Sequence, residues 1–193
     1  GLMKKLALVG DIGGTNSRFG LVEPGSQDVR DVEALKNDNF PTLETAISQY
    51  LDNRGITSLA GAAIAVAAPV DREFITLTNR DWTFSVETLR QAARAGSLRL
   101  LNDYEALALA LPHLGSDDVK LVGGKPNSDR AVKIVLGPGT GLGMAALAPL
   151  PGVQGWMPLP CEPGHTALPV ETQEEFDWRE KMKRPGQTFT AED

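Results

Sequence analysis

The stretch Leu8–Arg18 limits most strongly what this chain can fold into. An apolar strand pattern runs there into a carboxylate, a glycine pair and two small polar residues, and a second strand pattern follows. Two glycines at a strand-to-strand turn let the backbone fold tightly and leave its N–H groups available. Such donors, with a carboxylate that can hold a hydrated metal ion, suit a nucleotide triphosphate. We predict a phosphate and metal site formed by Asp11, Gly13, Gly14, Thr15 and Asn16, with Asp11 as the metal ligand; an ordinary hairpin turn is the alternative.

The net negative charge of the chain limits the classes of partner that it is expected to bind. Its 193 residues carry a formal net charge of -6, whereas general binders of nucleic acid or anionic membranes present a basic face. We therefore expect no nucleic-acid partner and no membrane partner. Cys161 is the single cysteine, which excludes an internal disulfide framework and a cysteine-cluster zinc site. Neither a long apolar run nor a signal peptide is found, so the cytoplasm is the expected location.

Hydrophobic periodicity in residues 1–113 predicts a mixed sheet flanked by helices, an α/β or α+β layer architecture. Thr42 is the expected N-cap of the first helix, and because Thr45 stands where a capping box would have a glutamate, we expect an incomplete box. The continuous apolar run Leu59–Val70 predicts a strand covered on both faces. Strands are expected at 5–10, 18–23, 31–35, 59–70, 74–78 and 98–101, and helices at 43–51, 86–94 and 104–111.

The remainder of the chain predicts a second group of strands separated by glycine- and proline-rich turns. A charged helical pattern follows these strands. The strands are expected at 119–122, 132–136, 142–147 and 153–157, and the helix at 172–182.

A carboxylate follows the strand expected at 98–101. Asn102 and Asp103 lie between this strand and the next helix, and therefore at the carboxyl edge of the sheet, where open α/β sheets bind ligands. Placed against a sugar hydroxyl, Asp103 can accept its proton during phosphoryl transfer. The alternative is a helix N-cap, for which Asn and Asp are favoured.

A second glycine-rich hairpin is predicted at Gly137–Gly143, after a buried strand. Four glycines and a threonine in this segment cost unfolded-chain entropy if the loop has no role. We therefore expect close backbone approach to phosphate, with a flexible hairpin as the alternative.

Glu162 and His165 follow the last predicted strand and can turn toward one pocket. Together they would offer an acceptor pair and an imidazole to neighbouring hydroxyls of a ring. A surface turn is the alternative. A metal at His165 is disfavoured, because no second histidine or cysteine stands at ligand spacing.

Taken in order, these motifs resemble the bacterial glucokinase family of the sugar-kinase, actin and heat-shock-protein superfamily. The resemblance covers about residues 5–167. It is carried by Gly10–Asn16 and Gly137–Gly143 as two phosphate motifs, Leu101–Asp103 as the motif with the catalytic aspartate, Glu162–His165 as the sugar motif, and Thr78–Trp82 as the segment that gives an asparagine to the sugar.

The resemblance implies an actin-like, ribonuclease H-like α/β lobe at 1–113 and the incomplete start of a larger α+β lobe at 114–193. It implies transfer of phosphate from ATP, with Mg²⁺, to the C6 hydroxyl of glucose, and a homodimer of the full-length protein. Asp103 would be the general base. Sugar contacts would come from Asn79, Asn102, Asp103, Glu162 and His165, and ATP contacts from Asp11, Gly13, Gly14, Thr15, Asn16, Gly139, Thr140 and Gly141.

The chain also departs from the family, whose members run to over 300 residues. Because it lacks a match to the adenosine motif and to the rest of the larger lobe, we expect a fragment or a truncated relative with weak or no catalysis. The alternatives in function are a kinase of another hexose (mannose, fructose or N-acetylglucosamine) and a non-catalytic sugar-binding relative.

Overall fold

The computed structural model describes residues 6–77, 81–124, 128, 130–138, 142–161 and 172–182. By its internal contacts the chain divides into two compact units, Gly1–Asp103 and Tyr104–Asp193. The lobe boundary expected after residue 113 stays a prediction. Within the described ranges, no helix combines the length and the apolar character needed to cross a membrane.

In the first unit the described residues form a mixed sheet with helices packed against it, which confirms the expected α/β architecture. The sheet order is β3-β2-β1-β4-β7, and β5 and β6 form a separate two-stranded sheet. The strands are β1 (Ala7–Ile12), β2 (Asn16–Val22), β3 (Arg30–Lys36), β4 (Gly61–Val66), β5 (Phe74–Thr76), β6 (Thr83–Ser85) and β7 (Leu98–Asn102), and the helices are α1 (Leu43–Asp52) and α2 (Val86–Ala92).

Three parallel strands form the centre of this sheet and end in register. β1 pairs with β4 so that Ile12 lies beside Val66, and β4 pairs with β7 so that Val66 lies beside Asn102. β2 returns antiparallel to β1. The connections that follow β1 and β7 therefore leave the sheet at the same edge.

One face of this sheet carries the core. Leu8 and Ile12 of β1, Phe19 of β2 and Ile64 of β4 pack against the apolar side of α1. The ring of Phe19 lies 5.4 Å from that of Tyr50, measured between centroids. β4 alternates between partly buried and buried residues and has no exposed one, so both faces are covered as expected, one more completely than the other, although the strand is shorter than the expected 59–70.

The second unit contains an antiparallel sheet in the order β10-β9-β8 among its described residues. Ala108 packs with Ala145 and Leu147 in a small core. The strand expected at 119–122 is wrong: these residues adopt no regular structure, and Val122 is 95% exposed. The elements are α3 (Asp103–Ala110), which begins at the division between the units, β8 (Lys133–Pro138), β9 (Leu142–Pro149), β10 (Trp156–Cys161) and α4 (Gln173–Met182).

Candidate functional site

The turn between β1 and β2, which we call the first hairpin (residues 13–16), is the first part of the candidate site. The backbone N–H of Gly13 donates to the carbonyl of Asn16 at 2.9 Å. A β-carbon at Gly13 would stand 3.3 Å from that same oxygen, so the closure favours glycine. Gly14, Thr15 and Asn16 are exposed. The predicted tight turn is therefore present, with its polar residues turned to solvent.

A buried asparagine lies beneath this hairpin. Asn37 is 1% exposed, and its Nδ2 donates to the carbonyl of Gly13 at 2.8 Å. Its backbone N–H donates to the carbonyl of Thr15 at 2.9 Å. Its Oδ1 accepts a hydrogen bond of 2.6 Å from the hydroxyl of Ser17, which is fully buried. The hairpin is thus fastened from below by a residue far from it in sequence.

Sequence reasoning missed Ser17 and Asn37. A signal was available for Ser17, because it alternates with Phe19 and Leu21 on the inward side of β2. A small hydroxyl at an inward position needs a hydrogen-bonding partner. The identity of that partner depends on how β2 and β3 pair, which the local pattern does not contain.

Asp11 lies one residue before the end of β1 and is exposed. In the β1–β2 ladder it stands opposite Arg18. Among the described residues, no three His, Cys, Asp or Glu side chains come together as a metal site. A lone carboxylate still fits Mg²⁺, which commonly keeps several waters and binds through one or two carboxylates plus substrate phosphates.

Asn102 and Asp103 lie where β7 passes into α3. Both side chains are half-buried, and Nδ2 of Asn102 donates to the carbonyl of Ala68 at 3.2 Å. This hydrogen bond ties the end of β7 to the segment that follows β4. Asp103 therefore follows a strand end that this hydrogen bond holds in place.

The strand register brings the first hairpin and Asp103 to one edge of the sheet. Ile12 and Asn102 flank Val66 in the parallel register. Neighbouring strands lie about 4.8 Å apart, so the ends of β1 and β7 are separated by about 10 Å. Asp103 and the first hairpin therefore follow strand ends that lie on either side of β4.

In the second hairpin (Gly137–Gly143), the structure describes the residues on either side of the tip. Gly137 pairs with Gly143, and Pro138 pairs with Leu142. The ring of Tyr104 packs against both glycines. The predicted phosphate contacts Gly139, Thr140 and Gly141 lie outside the described residues, as do the predicted sugar contacts Asn79, Glu162 and His165.

Comparison with known proteins gives a consistent result. A family model described as glucokinase matches residues 8–193. The glucokinase of Marinobacter nauticus is 39% identical over 171 residues, which cover 89% of this chain and 53% of that protein. The glucokinase of Chromobacterium violaceum is 42% identical over 180 residues, which cover 93% of this chain and 51% of that protein.

A solved structure agrees with these relatives. The crystal structure of a glucokinase from an Antarctic psychrotroph matches with a TM-score of 0.82 at 28% identity, and the match covers 97% of this chain and 59% of that one. The chain thus spans about half the length of the curated relatives it matches. With the family model matching almost the whole sequence, the chain belongs to the glucokinase family.

Proposed function

We propose that this protein is an ATP-dependent hexose kinase that phosphorylates glucose at its C6 hydroxyl. Family membership supports the reaction class. The observation that carries the proposal is the register of Ile12 and Asn102 across Val66. It puts the expected phosphate turn and the expected base at one carboxyl edge, where α/β sheets bind ligands.

In the proposed reaction Asp103 accepts the proton of the C6 hydroxyl as that oxygen attacks the terminal phosphorus of ATP. Most of the rate enhancement in phosphoryl transfer comes from positioning and from electrostatic stabilisation. The first hairpin would contribute the side chains of Thr15 and Asn16 and N–H groups other than that of Gly13, which donates to the carbonyl of Asn16. Asp11 would hold Mg²⁺, which neutralises phosphate charge when bound.

The remaining contacts in the proposal rest on the family resemblance alone. Gly139, Thr140 and Gly141 would address the phosphates, and Asn79, Asn102, Glu162 and His165 would hold the sugar hydroxyls. The homodimer and the cytoplasmic location also stay predictions.

The test is glucose-dependent ADP formation by a protein of the length of the curated relatives. Asp103→Asn should lower kcat by at least about 100-fold, because positioned general bases contribute about 10²- to 10⁴-fold. The KM for glucose should change little, since an amide still accepts a hydrogen bond. Activity close to wild type in Asp103→Asn would remove the base assignment.

Asp28→Asn is the matched control. Asp28 is an exposed carboxylate in the connection from β2 to β3. This connection leaves the sheet at the end opposite the first hairpin, so the variant should keep wild-type activity.

Running the assay with mannose, fructose and N-acetylglucosamine identifies the preferred sugar. The 193-residue chain itself should show little or no turnover, and full turnover would contradict that expectation.

A further inference from the structure

We propose that Asn37 is a positioning residue for phosphate binding, because it holds the carbonyl groups of the first hairpin away from the ligand. The inference rests on the proposed function, in which this hairpin contacts the phosphates of ATP. Asn37 does not touch the ligand itself. It acts by fixing the direction of the peptide groups above it.

Three of the four carbonyls of the hairpin accept hydrogen bonds inside the protein. The oxygen of Gly13 accepts from Nδ2 of Asn37 at 2.8 Å. The oxygen of Thr15 accepts from the backbone N–H of Asn37 at 2.9 Å, and the oxygen of Asn16 accepts from the N–H of Gly13 at 2.9 Å. Three peptide oxygens that carry partial negative charge are therefore held by donors within the hairpin and beneath it.

This arrangement matters for an anion. A carbonyl oxygen that turned toward a phosphate would repel it, and a site with little water screens such repulsion poorly. With Gly13 and Thr15 carbonyls tied to Asn37, the exposed side of the hairpin offers a hydroxyl and an amide instead. Successive N–H groups on a turn whose carbonyls point away are the general form of backbone anion sites.

An asparagine fits this position better than other side chains. Its amide accepts from Ser17 Oγ through one atom and donates to Gly13 through the other. Because the Gly13 carbonyl can only accept, it sets which way the amide faces, and the Ser17 hydroxyl donates to the oxygen on the other side. Because Asn37 and Ser17 are both buried, water cannot readily replace either partner.

The first test is Asn37→Asp in the 193-residue chain, with the dissociation constants of Mg·ATP and of inorganic tripolyphosphate measured by calorimetry. An ionised carboxylate would face the Gly13 carbonyl without a proton to donate. We expect binding at pH 8 to weaken by about five-fold or more, the effect of one lost hydrogen bond. Asn37→Ala should weaken it similarly.

Lowering the pH should restore ligand binding in Asn37→Asp but not in Asn37→Ala. Burial raises the pKa of the new carboxyl above its ordinary value of about 3.9. Once protonated, that carboxyl donates to Gly13 as the amide does. The charged neighbours Lys36 and Asp38 are exposed and unchanged in sequence in the variants, so the ratio of each variant's affinity to that of the wild type at each pH isolates residue 37.

Tyr50→Phe is the matched control. It also removes a donor from a well-packed side chain, whose hydroxyl bonds the carbonyl of Asp31 at 2.9 Å. We expect a comparable fall in the unfolding midpoint and unchanged ligand affinity. A purely structural role for Asn37 would make the two variants behave alike.

The outcomes separate the two proposals. If the wild-type chain binds and Asn37→Asp binds equally well at pH 8, the positioning role is wrong and the proposed function stands. If the wild-type chain binds neither ligand, the proposed phosphate role of the hairpin fails for this chain. Hydrogen exchange of peptides covering residues 12–18 then decides whether Asn37 fastens the hairpin, and unchanged exchange in Asn37→Ala overturns that as well.

Discussion

The hydroxyl of Tyr104 donates a hydrogen bond of 2.9 Å to the carbonyl oxygen of Gly137. A β-carbon built on Gly137 would lie 2.5 Å from that hydroxyl, and one on Gly143 would lie 2.0 Å from the ring. The two glycines face each other in the β8–β9 ladder and together make room for the ring. Two of the four glycines in this motif are therefore explained by packing and not by phosphate.

Gly143→Ala should destabilise the second unit. The added methyl group must displace the Tyr104 ring, and overpacking of this kind costs about 1 to 3 kcal/mol. Urea unfolding followed by Trp156 fluorescence measures the loss, because Trp156 packs against the same small core.

Gly123→Ala is the control for this substitution. A β-carbon there meets no atom within 4 Å. Its free energy of unfolding should stay within about 0.5 kcal/mol of wild type. Equal losses in the two variants would show that the Tyr104 ring does not limit position 143.

A double-mutant cycle should show that Tyr104 and Gly143 are coupled. In a Tyr104→Ala background the ring is gone, so Gly143→Ala should cost less than it does in wild type. Coupling free energies between contacting residues are about 0.5 to 3 kcal/mol. Additive losses in the cycle would contradict the packing seen between ring and glycine.

The hairpin at residues 13–16 was predictable because its signals are local. A strand, a glycine pair and a second strand follow one another, and their order leaves few alternatives. Helix α1 was predictable for the same reason, since its buried side repeats at helical spacing. The carboxyl-edge location of Asp103 followed from the alternation of strands and helices.

What sequence reasoning missed depends on contacts between distant segments. The Ser17–Asn37 hydrogen bond spans 20 positions and requires the β2–β3 register. The strand expected at 119–122 has the right composition, but in the described part of the chain no strand pairs with it. A β pattern alone does not supply a partner, whereas a helix satisfies its own backbone.

The acid dependence of Glu87 can be predicted from its partners. Its carboxylate accepts hydrogen bonds of 2.8 Å from Arg90 and from Gln91. These hydrogen bonds lower the pKa of Glu87 from 4.5 to about 2. Those from Arg90 have the larger effect, and that from Gln91 the next largest. The pKa of Glu87 is therefore lower in the folded chain than in the unfolded chain. Its ionised carboxylate stabilises the fold fully at pH values above about 4.5, and this stabilisation is lost as the pH falls toward about 2.

An NMR titration of the Glu87 carboxyl checks this directly. Arg90→Gln should move its pKa up toward the ordinary value, and Gln91→Ala should move it less. Since the pair is exposed, added salt should also raise the pKa. An ordinary pKa for Glu87 in the wild-type chain at low salt would refute the prediction.

The N-terminus of α1 has a complete capping box, which corrects the expectation of an incomplete one. Thr42 Oγ1 accepts from the N–H of Thr45 at 3.2 Å, and Thr45 Oγ1 accepts from the N–H of Thr42 at 3.2 Å. A threonine hydroxyl thus does what a glutamate usually does at this position. The same arrangement occurs at α2 between Ser85 and Thr88.

Thr42→Ala should therefore lower the free energy of unfolding by about 1 kcal/mol, the usual cost of losing an N-cap. Thr45→Ala should cost less, because alanine favours the helix interior and offsets part of the lost hydrogen bond. Ser48→Ala, in the middle of α1, is the control and should be neutral or slightly stabilising. The midpoint temperatures of thermal unfolding of the three variants give the order of these stability losses. If Thr42→Ala and Ser48→Ala unfold at the same temperature, the Thr42 hydroxyl does not stabilise the start of α1, and the capping box has no energetic role in this chain.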